Sequence, residues 1–179
     1  MKLDATTDPL TQLYNRRYLN SQLVEELNRA QAEDYPLAIA LVDVDHLGQI
    51  NKQSGWPTGD TVLRQVSCLI RSNIRATDWA GRYGGKEFCL VLVNTTLSQS
   101  QVVQERLRSA VEGTRFLSTA GQPLAITISV GAAELGASIE SPLQLVELAS
   151  TQTLAAKSAG HNRVYRLLLP TRYEALPVM

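Results

Sequence analysis

Apolar residues change spacing several times along the chain. Leu19, Leu23, Leu27 and Ala30 recur every three to four positions, the period of one helix face, and leave Glu25, Glu26 and Arg29 for water. That helix is expected to stop before Pro36, whose ring disfavours helical backbone in the residue ahead of it. Leu37 to Val42 is apolar without a break, which suits a central strand covered on both faces. From Pro57 to Ala76 the helical period returns through Val62, Leu63, Val66, Leu69, Ile70 and Ile74. Asp78 to Tyr83 and Lys86 to Val93 then predict two strands around Gly84 and Gly85. Adjacent glycines reach positive φ without a Cβ clash, so they suit a tight two-residue hairpin turn. A third amphipathic helix is expected over Leu97 to Thr114, with Val103, Leu107, Ala110 and Val111 inward. After a turn at Gly121-Gln122-Pro123, Leu124 to Val130 alternates apolar and polar residues, a strand with one face on the core. Pro142 to Ser158 reads as a last helix, capped by Ser141 and closed by Gly160. Asn162 to Leu168 reads as a final strand, and Pro170 and Pro177 mark a loosely packed tail over 169–179.

Strands and helices in mixed order mean α/β or α+β, and 179 residues suit a single domain with a sizeable core. Lys+Arg and Asp+Glu balance at 17 each, so no global field draws the chain to nucleic acid or to an anionic membrane. No apolar run reaches membrane-spanning length and Met1 to Ala5 begins no signal peptide, so a cytoplasmic protein is expected. Cys68 and Cys89 lie among apolar residues and are expected to be reduced core thiols.

The residues that could carry chemistry cluster at the ends of the apolar runs. Asp43 and Asp45 stand where the first strand ends; a lone Asp-x-Asp reads first as a helix cap and a solvated carboxylate. Lys86 and Glu87 follow the glycine pair at an exposed strand tip. Arg75 and Asp78 frame the end of the second helix, where a cap or salt bridge is the ordinary reading. Asp8, Pro9 and Thr11 look like the start of the first helix.

Four separated motifs nevertheless share one resemblance. Arg82-Tyr83-Gly84-Gly85-Lys86-Glu87-Phe88 resembles the GGDEF family of diguanylate cyclases, whose signature is R-Y-G-G-[DE]-E-F. Asp8 to Arg17 is similar to the family's D-x-L-T-G-L-x-N-R-R, with Gln12 at its glycine. Asp43 to Asp60 follows D-[IV]-D-x-F-K-x-I-N-D-x-x-G-H-x-x-G-D at unbroken spacing, with Leu47, Gly48, Lys52 and Trp56 as departures. Arg75-Ala76-Thr77-Asp78 matches an inhibitory R-x-x-D, at the usual distance before the glycines. The resemblance covers residues 8–164. It implies a mainly antiparallel central sheet flanked by helices, like the palm of nucleotidyl cyclases.

The resemblance also implies a reaction, in which two GTP molecules held across a homodimer are joined into cyclic di-GMP with magnesium. Asp43 and the carbonyl of Val44 would be metal ligands. The third ligand would be a carboxylate at position 86, where this chain has Lys86. A unit charge about 4 Å from a divalent ion is worth roughly 8 kcal/mol at an effective dielectric near 20, so the sign at this position matters. Glu87 is one residue further along the strand and points to the opposite face, a poor substitute. Asn51 and Asp60 match the guanine-reading pair, and Lys157 a phosphate-contacting lysine. His161 stands where the family has arginine, and Gly48 where it has a second lysine. Arg75 and Asp78 would bind cyclic di-GMP, completed by Arg106 or Arg108.

Three functions compete. The first is a degenerate module that binds GTP or cyclic di-GMP and serves an upstream sensor domain or partner protein. The second is an active cyclase that tolerates Lys86. The third is a dimerisation or protein-interaction domain without ligand. Loss of the carboxylate at position 86 favours the first, with magnesium affinity weakened or absent.

Overall fold

The computed structural model describes residues 5–166. In chain order the elements are α1 (Arg16–Glu33), β1 (Leu37–Val44), α2 (Leu47–Ser54), α3 (Trp56–Asn73), β2 (Trp79–Arg82), β3 (Glu87–Val93), α4 (Leu97–Gly113), β4 (Phe116–Leu117), β5 (Pro123–Leu124), β6 (Ile128–Glu134), α5 (Pro142–Ser158) and β7 (Arg163–Arg166). Five strands form one sheet in the order β2-β3-β1-β6-β7, and β4 pairs with β5 apart from it. All pairs are antiparallel except β6 with β7, which the α5 crossover joins in parallel. The sheet is therefore mainly antiparallel and flanked by helices, as expected.

β1 lies at the centre, and all eight of its residues are buried. Side chains alternate faces along a strand, so Ala38, Ala40 and Val42 enter one core while Leu37, Ile39 and Leu41 enter another. The first core is closed by α3 and α4 through Val62, Val66, Ile70, Leu107 and Val111. The second is closed by α1 and α5 through Leu19, Leu23, Leu27, Leu145 and Ala149. The unbroken apolar run of β1 is thus the requirement of a strand with a hydrophobic layer on each side.

Several expectations need correction. The first helix does not start at Pro9. The Asp8 carboxylate instead accepts from the Thr11 amide and hydroxyl at 2.9 and 2.8 Å, and this turn is clipped onto the sheet. The Tyr14 amide donates to the Ala80 carbonyl, and the Arg82 amide to the Tyr14 carbonyl at 2.8 Å. Asn15 is the actual cap, accepting from the Tyr18 amide at 2.9 Å. The helix does end before Pro36, at Asp34 with φ 58°. α2 was not legible as a helix, and α3 stops at Asn73 short of Ala76.

The glycine turn also differs. Residues 83–86 form a four-residue loop in which the Tyr83 and Gly84 amides both donate to the Glu87 carbonyl. Neither Gly84 nor Gly85 has positive φ, so the two-residue turn is not formed. β6 begins at Ile128, four positions later than expected, because Pro123–Leu124 peels off to pair with Phe116–Leu117. It is buried on both faces, since α4 and α5 cover it from opposite sides. Cys89 is buried as expected, which pushes its thiol up to about 12, but Cys68 is exposed on the outer face of α3. Ser141 caps α5 as read, accepting from the Gln144 amide, and Gly160 adopts φ 116° after it. The final strand is observed over Arg163–Arg166; its expected continuation and the expected tail over 169–179 lie outside the described residues.

α5 approaches β6 at Gly131 so closely that a Cβ there would lie 2.0 Å from the Thr153 amide nitrogen and 2.4 Å from the Ala149 carbonyl oxygen. Both are helix backbone and cannot rotate away. Gly131→Ala is expected to lower stability by about 3 kcal/mol, the overpacking range. Gly113→Ala, which would meet nothing within 4 Å, is expected to be neutral or stabilising. Urea unfolding of both variants checks the pair, and an unchanged midpoint for Gly131→Ala would refute the packing account.

Candidate functional site

β1 delivers Asp43 to the end of the sheet beside Glu87 of β3. Its side chain is 2% exposed and lies between two ammonium groups. Lys157, from the last turn of α5, donates to Oδ2 at 2.5 Å. Lys86, from the loop between β2 and β3, sits 3.5 Å from Oδ1. That oxygen has no hydrogen-bond partner, so Lys86 is held by charge alone. Burying a carboxylate unpaired would be expensive, and these two lysines supply the pairing. The loop is further fixed by the Val44 amide, which donates to the Lys86 carbonyl at 3.1 Å.

The magnesium ion implied by the resemblance does not fit this arrangement. Magnesium takes an octahedron of oxygen ligands, usually one or two carboxylates together with waters and substrate phosphates. Asp43 and the Val44 carbonyl remain, but the Lys86 ammonium stands 3.5 Å from Asp43 Oδ1, where its charge repels a divalent cation. Among the described residues no group of three or more His, Cys, Asp or Glu could hold a metal. The Glu87 carboxylate folds back over the loop, with Oε2 only 2.5 Å from where a Gly84 Cβ would be.

Asp45 is neither a helix cap nor solvated. It is 3% exposed and accepts from the Thr127 and Ser129 hydroxyls, each at 2.7 Å, and from the Asn162 amide at 3.0 Å. It joins the start of β6 to the turn after α5. The residue at the α2 N-terminus is His46, with φ 58° and no capping side-chain bond. Its ring lies 4.5 Å from that of His161. A Cβ on Gly48 would meet nothing within 4 Å.

Beside the Asp43 cluster is a cavity of ≈ 260 Å³ whose lining includes Asn51, Trp56, Asp60, Gly85 and Lys86. Asn51 lines it, with its Oδ1 buried against Gly59 and without a hydrogen-bond partner. Gly59 makes room for this amide, since a Cβ there would lie 1.8 Å from Oδ1. The structure thus brings Asn51, Asp60 and Lys86 into one cavity, with Lys157 joined to it through Asp43. Two contributors were missed by the sequence reading. Trp56, 74% exposed, stands at the rim. Arg82 props the loop, donating to the Gly85 carbonyl at 2.8 Å and to Asp8. An exposed tryptophan has no periodic signal, and the Arg82–Asp8 pair spans 74 positions.

Arg75 and Asp78 lie at the far end of β2 from this loop. The Asp78 side chain is fully buried, and its oxygens accept from the Val93 and Arg75 amides, both at 3.1 Å. The Arg75 side chain is 58% exposed and donates to the Thr95 hydroxyl at 3.0 Å. Arg106 lies at this end, bonded to Asn73. Arg108 is committed elsewhere, to Glu105, Glu112 and Asn162.

Residues 5–163 match the family described as "Diguanylate cyclase, GGDEF domain". The chain is 37% identical over 161 residues to the response regulator PleD of Caulobacter vibrioides, covering 89% of this chain and 36% of PleD. It is 36% identical over 157 residues to the diguanylate cyclase DosC of Escherichia coli, covering 88% of this chain and 34% of DosC. The chain therefore spans about a third of the length of these curated relatives. Among solved structures, the GGDEF domain of DgcB from Caulobacter crescentus in complex with c-di-GMP superposes with a TM-score of 0.89 at 32% identity, covering 93% of this chain and 98% of that one. The active GGEEF domain of a diguanylate cyclase from Vibrio cholerae superposes at 0.83 with 28% identity, covering 89% and 100%.

Asp45→Ala would leave three donors, on Thr127, Ser129 and Asn162, without an acceptor in the interior. Each unpaired buried group costs about 1–3 kcal/mol, so a loss of roughly 3 kcal/mol or more is expected. Thermal and urea unfolding check this; a loss below about 1 kcal/mol would show that the carboxylate is not a structural tie.

Proposed function

The chain belongs to the GGDEF family of diguanylate cyclase domains, and we propose that in this member the domain is a guanine-nucleotide-binding regulatory module in cyclic di-GMP signalling with little or no cyclase turnover. The observation that carries this reading is the Lys86 ammonium 3.5 Å from Asp43. Joining two nucleotides requires phosphate charge to be neutralised and a hydroxyl to be activated, which metal ions do in phosphoryl transfer. An ammonium neutralises charge but does not make a bound hydroxyl acidic as a divalent cation does. The active domain from Vibrio cholerae carries GGEEF where this chain reads GGKEF.

Binding has better support than turnover. Guanine presents two kinds of N–H on one edge, the ring N1–H and the exocyclic amine. Asn51 Oδ1 is a buried acceptor with no partner, and the Asp60 carboxylate lies in the same cavity. Adenine offers an acceptor at N1, so it would leave those groups unpaired. Lys86 and Lys157 would then meet the phosphates as point charges. At the other end of β2, cyclic di-GMP would meet the exposed Arg75 guanidinium with Arg106 nearby, while the Asp78 carboxylate serves the backbone. Such a module would answer to another domain or protein, and a second copy is a further candidate partner.

Two outcomes are expected. Incubation with GTP and magnesium or manganese, followed by chromatography, should yield no cyclic di-GMP at enzyme-like rates, on the order of one per second; such a rate would refute the module reading. In titration calorimetry the parent should favour GTP over ATP by at least about a hundredfold, and Asp60→Ala should weaken GTP more than ATP. Equal affinity for the two nucleotides would reject the guanine assignment.

A further inference from the structure

Resting on that guanine-nucleotide reading, we infer that the site takes its nucleotide as the free, metal-less anion, with the Lys86 ammonium as a built-in cation, so that magnesium opposes binding. In a site assembled around a divalent ion the carboxylates outnumber the fixed cations, and the metal arrives with the nucleotide. At Asp43 itself the balance is reversed. One buried carboxylate, Asp43, faces two ammonium groups, Lys86 and Lys157. Of the other carboxylates nearby, Asp45 is taken up by two hydroxyls and an amide of the protein, Glu87 folds back over Gly84, and Asp60 lines the cavity in which the base is placed. The cluster therefore already holds its cations covalently.

Lys86 is the group through which this acts. Its separation from Asp43 Oδ1 is 3.5 Å, an ion-pair distance too long for a charge-assisted hydrogen bond. Its side chain is 45% exposed and lines the cavity that holds Asn51 and Asp60. An ammonium has three donors, so it can keep its attraction to Asp43 while donating to a phosphate oxygen attached to a base seated in that cavity. A nucleotide chelated to magnesium has some of its phosphate oxygens occupied and brings a divalent charge towards two ammonium groups. A free nucleotide brings bare oxygens. The electrostatics thus select the metal-free form, and they do so without strain, because the cavity and Lys86 are already in place.

The test is calorimetric titration of the chain with GTP in two buffers, one with EDTA and one with magnesium in excess over nucleotide. GTP is expected to bind at least threefold more tightly in EDTA. Lys86→Met, which keeps the aliphatic stem, should weaken binding in EDTA about tenfold, with the circular dichroism spectrum unchanged. Lys86→Glu should reverse the order, so that magnesium tightens binding. The inference is overturned if magnesium leaves the parent's affinity unchanged or raises it, or if Lys86→Met binds GTP in EDTA as the parent does. Binding only with magnesium would overturn this inference and leave the guanine reading standing. No GTP binding in either buffer would remove the guanine reading itself, and this inference with it.

Discussion

A carboxylate sealed inside a protein must be neutralised where it stands, and Asp43 imposes that condition on the end of the sheet. It is the seventh residue of a strand buried on both faces, so it cannot turn to water without breaking the sheet. Two elements distant in sequence answer it: Lys157 from the last turn of α5, and Lys86 from the loop between β2 and β3. Their convergence fixes where that loop lies, and hence where the neighbouring cavity opens. A metal ion could satisfy the same carboxylate where no fixed cation already stood beside it.

The rest of the architecture serves to hold those elements in register. β1 pairs with β3 from Leu37 opposite Val93 to Asp43 opposite Glu87, so the loop before β3 necessarily arrives beside Asp43. On the other side, β1 pairs with β6, and α5 lies on β6 closely enough for the Thr153 hydroxyl to reach the Leu41 carbonyl. The small residues Gly131 and Ala133 of β6 permit that approach. Lys157 is thereby brought over the end of β1. Packing between apolar layers thus decides the geometry of a charged cluster.

Polar residues at strand and helix ends divide between scaffold and opening. Asp45 and Asp78 are spent on the protein's own amides and hydroxyls. Asn51, by contrast, keeps a buried oxygen without a partner beside a cavity, and most buried polar groups have one. Arg82 belongs to both groups, since it lines the cavity and ties the loop to Asp8.

Much of this was legible in the chain itself. The period of Leu19, Leu23 and Leu27, the unbroken run of β1 and the caps at Ser141 and Gly160 are local consequences of residue type, and they appear as read. The order and spacing of the motifs carried the family, and with it the expectation that Lys86 would matter. What spacing could not convey was partnership across long separations. Whether Asp45 was solvated or buried depended on Thr127, Ser129 and Asn162, and whether Asp78 was free depended on Val93. The glycine turn was misread because loop length depends on how β2 and β3 register, and Arg82↔Phe88 leaves more than two residues between them. β6 was misplaced because Gly131-Ala132-Ala133 has no alternation to read, and only the helices on its two faces make it a core strand. Local chemistry writes periodicity, caps and motifs into the sequence; the burial of a charge is a property of everything folded around it, and only the tertiary structure decides it.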